Sequence, residues 1–280
     1  MPSVLIYLPA AYIVEDKQRK GDGPYQDPVP VKMRNNKPLR IIICAVCVIA
    51  LTISLGSFAS LEKAAAKEKA RPKIAIEAGH QKHANSGLER IGPNTSRRKI
   101  KVAGGTTGVV TRVPEYKLNL TIAKKLKKEL ESRGYKVYMV RTKNNVNISN
   151  RIRAIKANRS GADICIRLHA DDAGASGPSG ASCLYKTKAN RYATAKVNRK
   201  SKRLSKCVLT KYCKRTGAKN RGLSKRNDLT GSNWSKIPTT LIEMGFMSNP
   251  SEDRKMQRAS YQKKMVKGIA DGIDAYYGYK

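Results

Sequence analysis

Acidic side chains are scarce in this chain of 280 residues: 20 Asp and Glu stand against 57 Lys and Arg, a net charge of +37. A balance this basic implies an anionic partner, whether phosphate polymer, membrane surface or acidic polysaccharide. Aromatic residues are also few, 6% of the chain, with one Trp, two Phe and 13 Tyr. That argues against a nucleic-acid reader built on a ladder of stacking rings. Only three histidines occur and no HExxH pair stands among them, which excludes a one-helix metal site of the zincin kind. No internal repeat is present. The apolar fraction of 40% is enough for a packed core, so wholesale disorder is excluded.

One stretch has no charge at all. Residues 41–60, IIICAVCVIALTISLGSFAS, make 20 uncharged positions, the length that matches the hydrocarbon core of a bilayer. The flank before it carries Lys32, Arg34, Lys37 and Arg40 and no acid. By the positive-inside rule that flank stays in the cytoplasm and everything after Ser60 is exported. Anchor and cleaved signal both fit, since Ser57-Phe58-Ala59 has the small-x-small form of a cleavage site. Met33 would serve as the true start of such a signal, leaving residues 1–32 as a cytoplasmic tail or an over-extended reading. The expected organisation is therefore a tail or n-region over 1–40, the apolar segment over 41–60, a polar linker over 61–72 and one folded domain over 73–280. Cys44 and Cys47 lie in the apolar segment, and Cys165 in the run ICIRL reads as a buried thiol. A disulfide from Cys183 to Cys207 or Cys213 is permitted outside the cell, with its connectivity open.

Past Pro72 the pattern alternates. Period-two apolar spacing over 73–77 (KIAIE) predicts a strand. Residues 79–111 read as a long Gly-, Asn- and Thr-rich loop, a length that makes it a functional suspect. Pro114 fits a helix start, and Leu118, Ile122, Leu126 and Leu130 form its apolar stripe until Gly134. Strands are expected at 136–140, 163–168 (ending at His169), 181–185 and 238–243, with helices from Ser149 to Asn158, over 188–216 and over 261–276. This alternation predicts an α/β fold, a single mostly parallel twisted sheet with helices on both faces. Active sites of such sheets collect at the carboxyl ends of strands.

His80, His169 and Glu243 stand at those ends. Two such histidines with carboxylates nearby suit a catalytic zinc, which takes three protein ligands and keeps a fourth position open. Satisfied structural histidines fit the spacing equally well. Four motifs go further. They are Ile76-Glu77-Ala78-Gly79-His80, Pro114-Glu115-Tyr116-Lys117-Leu118-Asn119, Arg167-Leu168-His169-Ala170-Asp171 and Glu243-Met244-Gly245-Phe246-Met247-Ser248-Asn249. In kind and order they resemble the zinc-dependent N-acetylmuramoyl-L-alanine amidases of the type-3 group, bacterial cell-wall hydrolases, over about residues 73–278. The resemblance implies Zn²⁺ held by His80, Glu115 and His169, with Glu243 as the catalytic acid–base. Two positions depart from the family pattern. Glu77 replaces the usual Asp, where a carboxylate can orient a ligand imidazole, and Gln81 replaces the commoner Gly. His83 reads as a surface residue. Asp171 and Asp172 stay unassigned, and Trp234 fits either a groove or the core.

Residues 61–280 hold 50 basic and 16 acidic side chains, so 34 of the 37 net charges fall in the exported part. The stretch 186–226, from Lys186 at one end to Arg226 at the other, holds 16 Lys and Arg and no acid. A solvated helix face explains part of this. An excess of one sign this long points to teichoic-acid phosphates, lipid headgroups or stem-peptide carboxylates as partner. Nucleic acid is excluded by compartment. The implied activity is cleavage between N-acetylmuramic acid and L-alanine of peptidoglycan by an exported monomer. Its rivals are a zinc peptidase cutting within the stem peptide and a catalytically silent cationic wall-binding module.

Overall fold

In the computed structural model, residues 71–279 are described. The apolar segment at 41–60, Met33 and most of the linker lie outside them. Among the described residues no helix is long and apolar enough to cross a membrane.

Strict alternation builds the first strand. In β1 (Lys73–Ala78), Ile74, Ile76 and Ala78 face one large core while Ala75 faces a smaller one. The remaining strands are β2 (Asn85–Arg90), β3 (Arg98–Val102), β4 (Lys136–Met139), β5 (Ile164–Asp171), β6 (Ala181–Tyr185), β7 (Asn220–Lys225) and β8 (Thr239–Phe246). Six of them form a sheet in the order β4-β1-β5-β8-β6-β7, and β2 and β3 pair as a separate two-stranded unit. The pairs β1–β4, β1–β5, β5–β8 and β6–β7 are parallel. β6 meets β8 antiparallel. The result is the expected α/β fold with a mostly parallel sheet.

The helices are α1 (Glu115–Ser132), α2 (Asn150–Arg159), α3 (Ala195–Thr216), α4 (Thr230–Asn233), α5 (Pro250–Gln257) and α6 (Ala259–Tyr277). α1, α3 and α6 supply Leu126, Leu130, Leu204, Tyr212, Met265 and Ile269 to the large core. α3 and α6 pack so closely that a Cβ on Gly272 would lie 2.4 Å from Val208 Cα. On the other face, Ala157 of α2 joins Ala75 and Cys165. Arg71, still inside the expected linker, pairs with Asp274 at 2.9 Å and stacks over Tyr279.

Several expectations change in detail. The loop at 79–111 contains β2 and β3. The helix expected from 188 begins at Ala195, because Asn190 Oδ1 accepts from the backbone of Tyr192 and Ala193 and Thr194 caps the helix through Val197 N. β5 and β8 run past His169 and Glu243, which therefore sit inside their strands. Asn249 caps α5, with Pro250 in its first turn. Cys165, Cys183, Cys207 and Cys213 are all free thiols, so the permitted disulfide is not formed. Trp234 is buried and donates to Arg90 O at 3.0 Å, a core residue and not a groove wall.

Candidate metal centre

Three donors meet where β1, β5 and α1 converge. His80 follows the end of β1 in a left-handed conformation, φ 58°, costly for any residue but Gly. Backbone contacts hold it there. Arg141 donates to Ala78 O at 2.9 Å, to Gly79 O at 2.9 Å and to Tyr116 O at 2.8 Å. Arg153 donates to Ala78 O and to His80 O, each at 2.8 Å. Both arginines are buried.

Glu115 opens α1, where the helix dipole favours a carboxylate. Its Oε1 accepts from Asn119 Nδ2 at 3.0 Å and from Ala170 N at 3.1 Å, and its Oε2 from Thr106 N at 3.2 Å. The remaining direction faces both imidazoles. His80 Nε2 stands 3.1 Å from Glu115 Oε2, and His169 Nδ1 3.1 Å from Glu115 Oε1. The two ring nitrogens are themselves 3.1 Å apart. Burial opposes a charge on Glu115, but its contacts with His169 and His80 outweigh it and hold the carboxyl well below the usual range. Burial likewise opposes a charge on His80 and is outweighed by Glu115, so that imidazole is raised. In His169 burial wins and the imidazole is lowered.

The donor set suits a cation. The donor atoms of His80, Glu115 and His169 lie within 4.8 Å of one another. His80 Nδ1 is 2.8 Å from Ala103 O; as a donor there, it leaves the Nε2 lone pair turned inward. Two inward-facing nitrogens at contact distance repel unless a proton or a metal lies between them. A carboxylate with two neutral imidazoles is also a common zinc ligand set. His169 Nε2 and Glu243 Oε2 are each buried without a hydrogen-bond partner.

Glu243 is the lateral neighbour of His169 in the β5–β8 ladder, on the other side from β1. Burial, reinforced by the charges of Glu115 and Asp171, holds its carboxyl well above the usual range. All four residues singled out by the motifs thus gather at one end of three adjacent strands. Glu77 does not orient an imidazole. Its carboxylate accepts from Arg167 Nε and, at 3.1 Å, from Arg153 Nη1. Gln81 Oε1 accepts from Arg153 Nη2 and Ile148 N, each at 3.0 Å. His83 is exposed. Asp172 accepts from Thr106 Oγ1 at 2.6 Å, fixing the segment that covers Glu115.

Gly105, Arg141 and Arg153 were not legible as site residues. At Gly105 φ is 81°, and a Cβ would lie 2.7 Å from Glu115 Oε2 and 2.9 Å from His80 Cγ. The Gly104-Gly105 pair inside a suspect loop was the available signal for a close backbone approach. Nothing local marks the arginines, because the groups they hold at the site, mostly backbone carbonyls, lie 25 to 76 residues away.

Among curated proteins, the chain is 31% identical over 163 residues to the N-acetylmuramoyl-L-alanine amidase LytC of Bacillus subtilis (strain 168), covering 58% of this chain and 31% of that protein. It is 28% identical to the N-acetylmuramoyl-L-alanine amidase AmiC of Escherichia coli O6:H1, covering 56% and 46% respectively. The matched part thus spans about a third to a half of these relatives' length. The solved N-acetylmuramoyl-L-alanine amidase of Clostridium difficile 630 superposes with a TM-score of 0.60 at 28% identity, covering 76% of this chain and 100% of that one. Ami1 of Mycobacterium smegmatis, at 21% identity, shares the fold with a TM-score of 0.67 over 74% of this chain and 97% of its own. A family model described as N-acetylmuramoyl-L-alanine amidase (Amidase_3) matches residues 74–275, a span that includes His80, Glu115, His169 and Glu243, and the chain belongs to that family.

Proposed function

We propose that the chain hydrolyses the amide bond between the lactyl group of N-acetylmuramic acid and L-alanine in peptidoglycan, with Zn²⁺ held by His80, Glu115 and His169. The observation that carries this reading is the convergence of two imidazoles and one carboxylate beside Glu243, a half-buried residue whose Oε2 is enclosed without a hydrogen-bond partner. When bound, zinc supplies a Lewis acid for the amide carbonyl and for water. The protein's own groups do the rest. Asn119, Thr106 and Ala170 aim the Glu115 carboxylate, and the Ala103 carbonyl fixes the His80 tautomer. Glu243 takes a proton from the attacking water and returns it to the departing L-alanine nitrogen. A carboxyl raised above its usual range is suited to giving that proton back near neutral pH.

The domain acts outside the cytoplasm, anchored by residues 41–60 or released after cleavage. Residues 186–226, with 16 cations and no acid, associate with an anionic polymer of the envelope. Metal analysis of the purified chain, paired with a peptidoglycan zymogram run with and without chelator, tests the reading. One zinc per chain and a chelator-sensitive clearing zone are expected. A metal-free chain that clears the gel would overturn it.

A further inference from the structure

The helix layer carries a second feature that the catalytic reading does not use. Between α3 and α6 runs a groove of about 840 Å³ whose walls hold Lys211, Lys214 and Arg215 from one helix and Lys263, Lys264 and Lys267 from the other. Its two acids, Asp271 and Asp274, are already engaged. Arg215 and Arg133 pair with Asp271, and Arg133 and Arg71 with Asp274, at 2.6 to 2.9 Å. Among the described residues the lysines in ion pairs are Lys99 and Lys127. All five groove lysines are thus left without an anion. Lys211 and Lys214 are three residues apart and Lys263 and Lys267 four, so each wall carries a pair of lysines with Cβ atoms about 5–6 Å apart. Leu168, Ala170, Ile242 and Met244 point toward the helix layer. By strand alternation His169 and Glu243 project from the opposite face, so the groove is separate from the candidate active site.

We infer that this groove binds one strand of a phosphate-bearing polyanion, and that it is the place where the envelope polymer of the proposed function is held. That inference rests on the polymer-binding part of the function and not on the amidase chemistry. A concave channel with charges on two walls encloses a strand, whereas a flat headgroup layer would touch its rims only. Membrane seating would also use apolar side chains beside the cations. The large exposed apolar residues among the described residues are Leu88, Ile100, Val109, Val110 and Ile152, none of them on α1, α3 or α6.

The test is binding of labelled inorganic polyphosphate to the full chain over a salt series. One variant carries Lys211, Lys214, Lys263, Lys264 and Lys267→Gln. A second loses the same charge at exposed positions outside the groove, Lys82, Lys143, Lys188, Lys196 and Lys200→Gln. Three of those five lie within residues 186–226, so the pair separates the groove from the basic segment as a whole. The groove variant is expected to lose about tenfold or more in affinity. Its log–log salt slope should fall by about 3.5, at roughly 0.7 per lost contact on a single-stranded polyanion. The matched variant should stay within about twofold, and both should turn over a small soluble muropeptide at the native rate. Equal weakening of the two variants would overturn the groove while leaving polymer binding intact. Absence of polyphosphate binding would remove both. Groove-dependent binding to phosphatidylglycerol vesicles without binding to polyphosphate would make the face a membrane contact instead.

Discussion

Alanine in place of Gly79 probes the site without removing a donor. An added Cβ would lie 2.3 Å from His169 Cε1, 2.4 Å from Nε2 and 2.7 Å from Nδ1. Carbon contacts settle near 3.5–4.0 Å, so the ring must retreat by about 1 Å. A misplacement of that size costs roughly 10²-fold in rate, and a disturbed ligand orientation typically weakens metal binding by about 10–100-fold. Forced overpacking costs about 1–3 kcal/mol. For a domain of this size that is a melting temperature lower by about 2–12 °C. Gly104→Ala is the internal control, since nothing lies within 4 Å of its added Cβ. Gly105→Ala should behave like Gly79→Ala, because it presses on Glu115 and His80 from a left-handed backbone. Zinc competition against a chromogenic chelator, with a thermal melt of each variant, reads all three. Native zinc affinity in Gly79→Ala would refute the geometry argued for His169.

Glu243→Gln should keep zinc and the melting temperature while losing roughly 10²-fold or more in turnover, whereas His80→Ala and His169→Ala should lose zinc as well; zinc content and turnover measured on the same preparations separate the roles. The Glu77 carboxyl is held far below the usual range, against the cost of its burial, by Arg167 and Arg153. Its contribution to stability is therefore full above the unfolded carboxylate value near 4.3 and is lost as pH falls through the depressed folded value. Glu77→Gln should destabilise by about 3–5 kcal/mol at neutral pH, and denaturant melts should show that deficit shrinking only under strongly acidic conditions. Retention on isolated cell wall should fall steeply with salt, since exposed charges are screened over about 8 Å at physiological ionic strength, while cleavage of a soluble muropeptide responds far less. Equal salt sensitivity of both would mean that the charge acts at the active site or on the fold instead.

The parts of the fold legible in the sequence are those whose signal is local. The period-two run of β1 and the Leu118, Ile122, Leu126 and Leu130 stripe of α1 need no partner to be seen. The β2–β3 pair escaped because its faces are mostly exposed, so no buried alternation marks it. β7 escaped for the same reason. The antiparallel entry of β6 depends on which edge the chain returns to, and no residue in ASCLY encodes that. α5 carries a local signal too, since Asn249-Pro250 followed by Glu252 and Asp253 is a helix-start signature. At the site, motifs singled out His80, Glu115, His169 and Glu243. The arginines behind His80 act on it through the backbone carbonyls of Ala78, Gly79 and His80, which have no side-chain identity to match.

Product analysis tests the central claim most directly. Purified peptidoglycan is digested with the zinc-loaded full chain and the released fragments are sequenced by mass spectrometry. Intact stem peptides with a free amino-terminal L-alanine, together with glycan whose muramic acid is unsubstituted, are the predicted products. Shortened peptides with muramic acid still substituted would contradict the account and make the protein a stem-peptide hydrolase. No release at all would make it a silent wall-binding module.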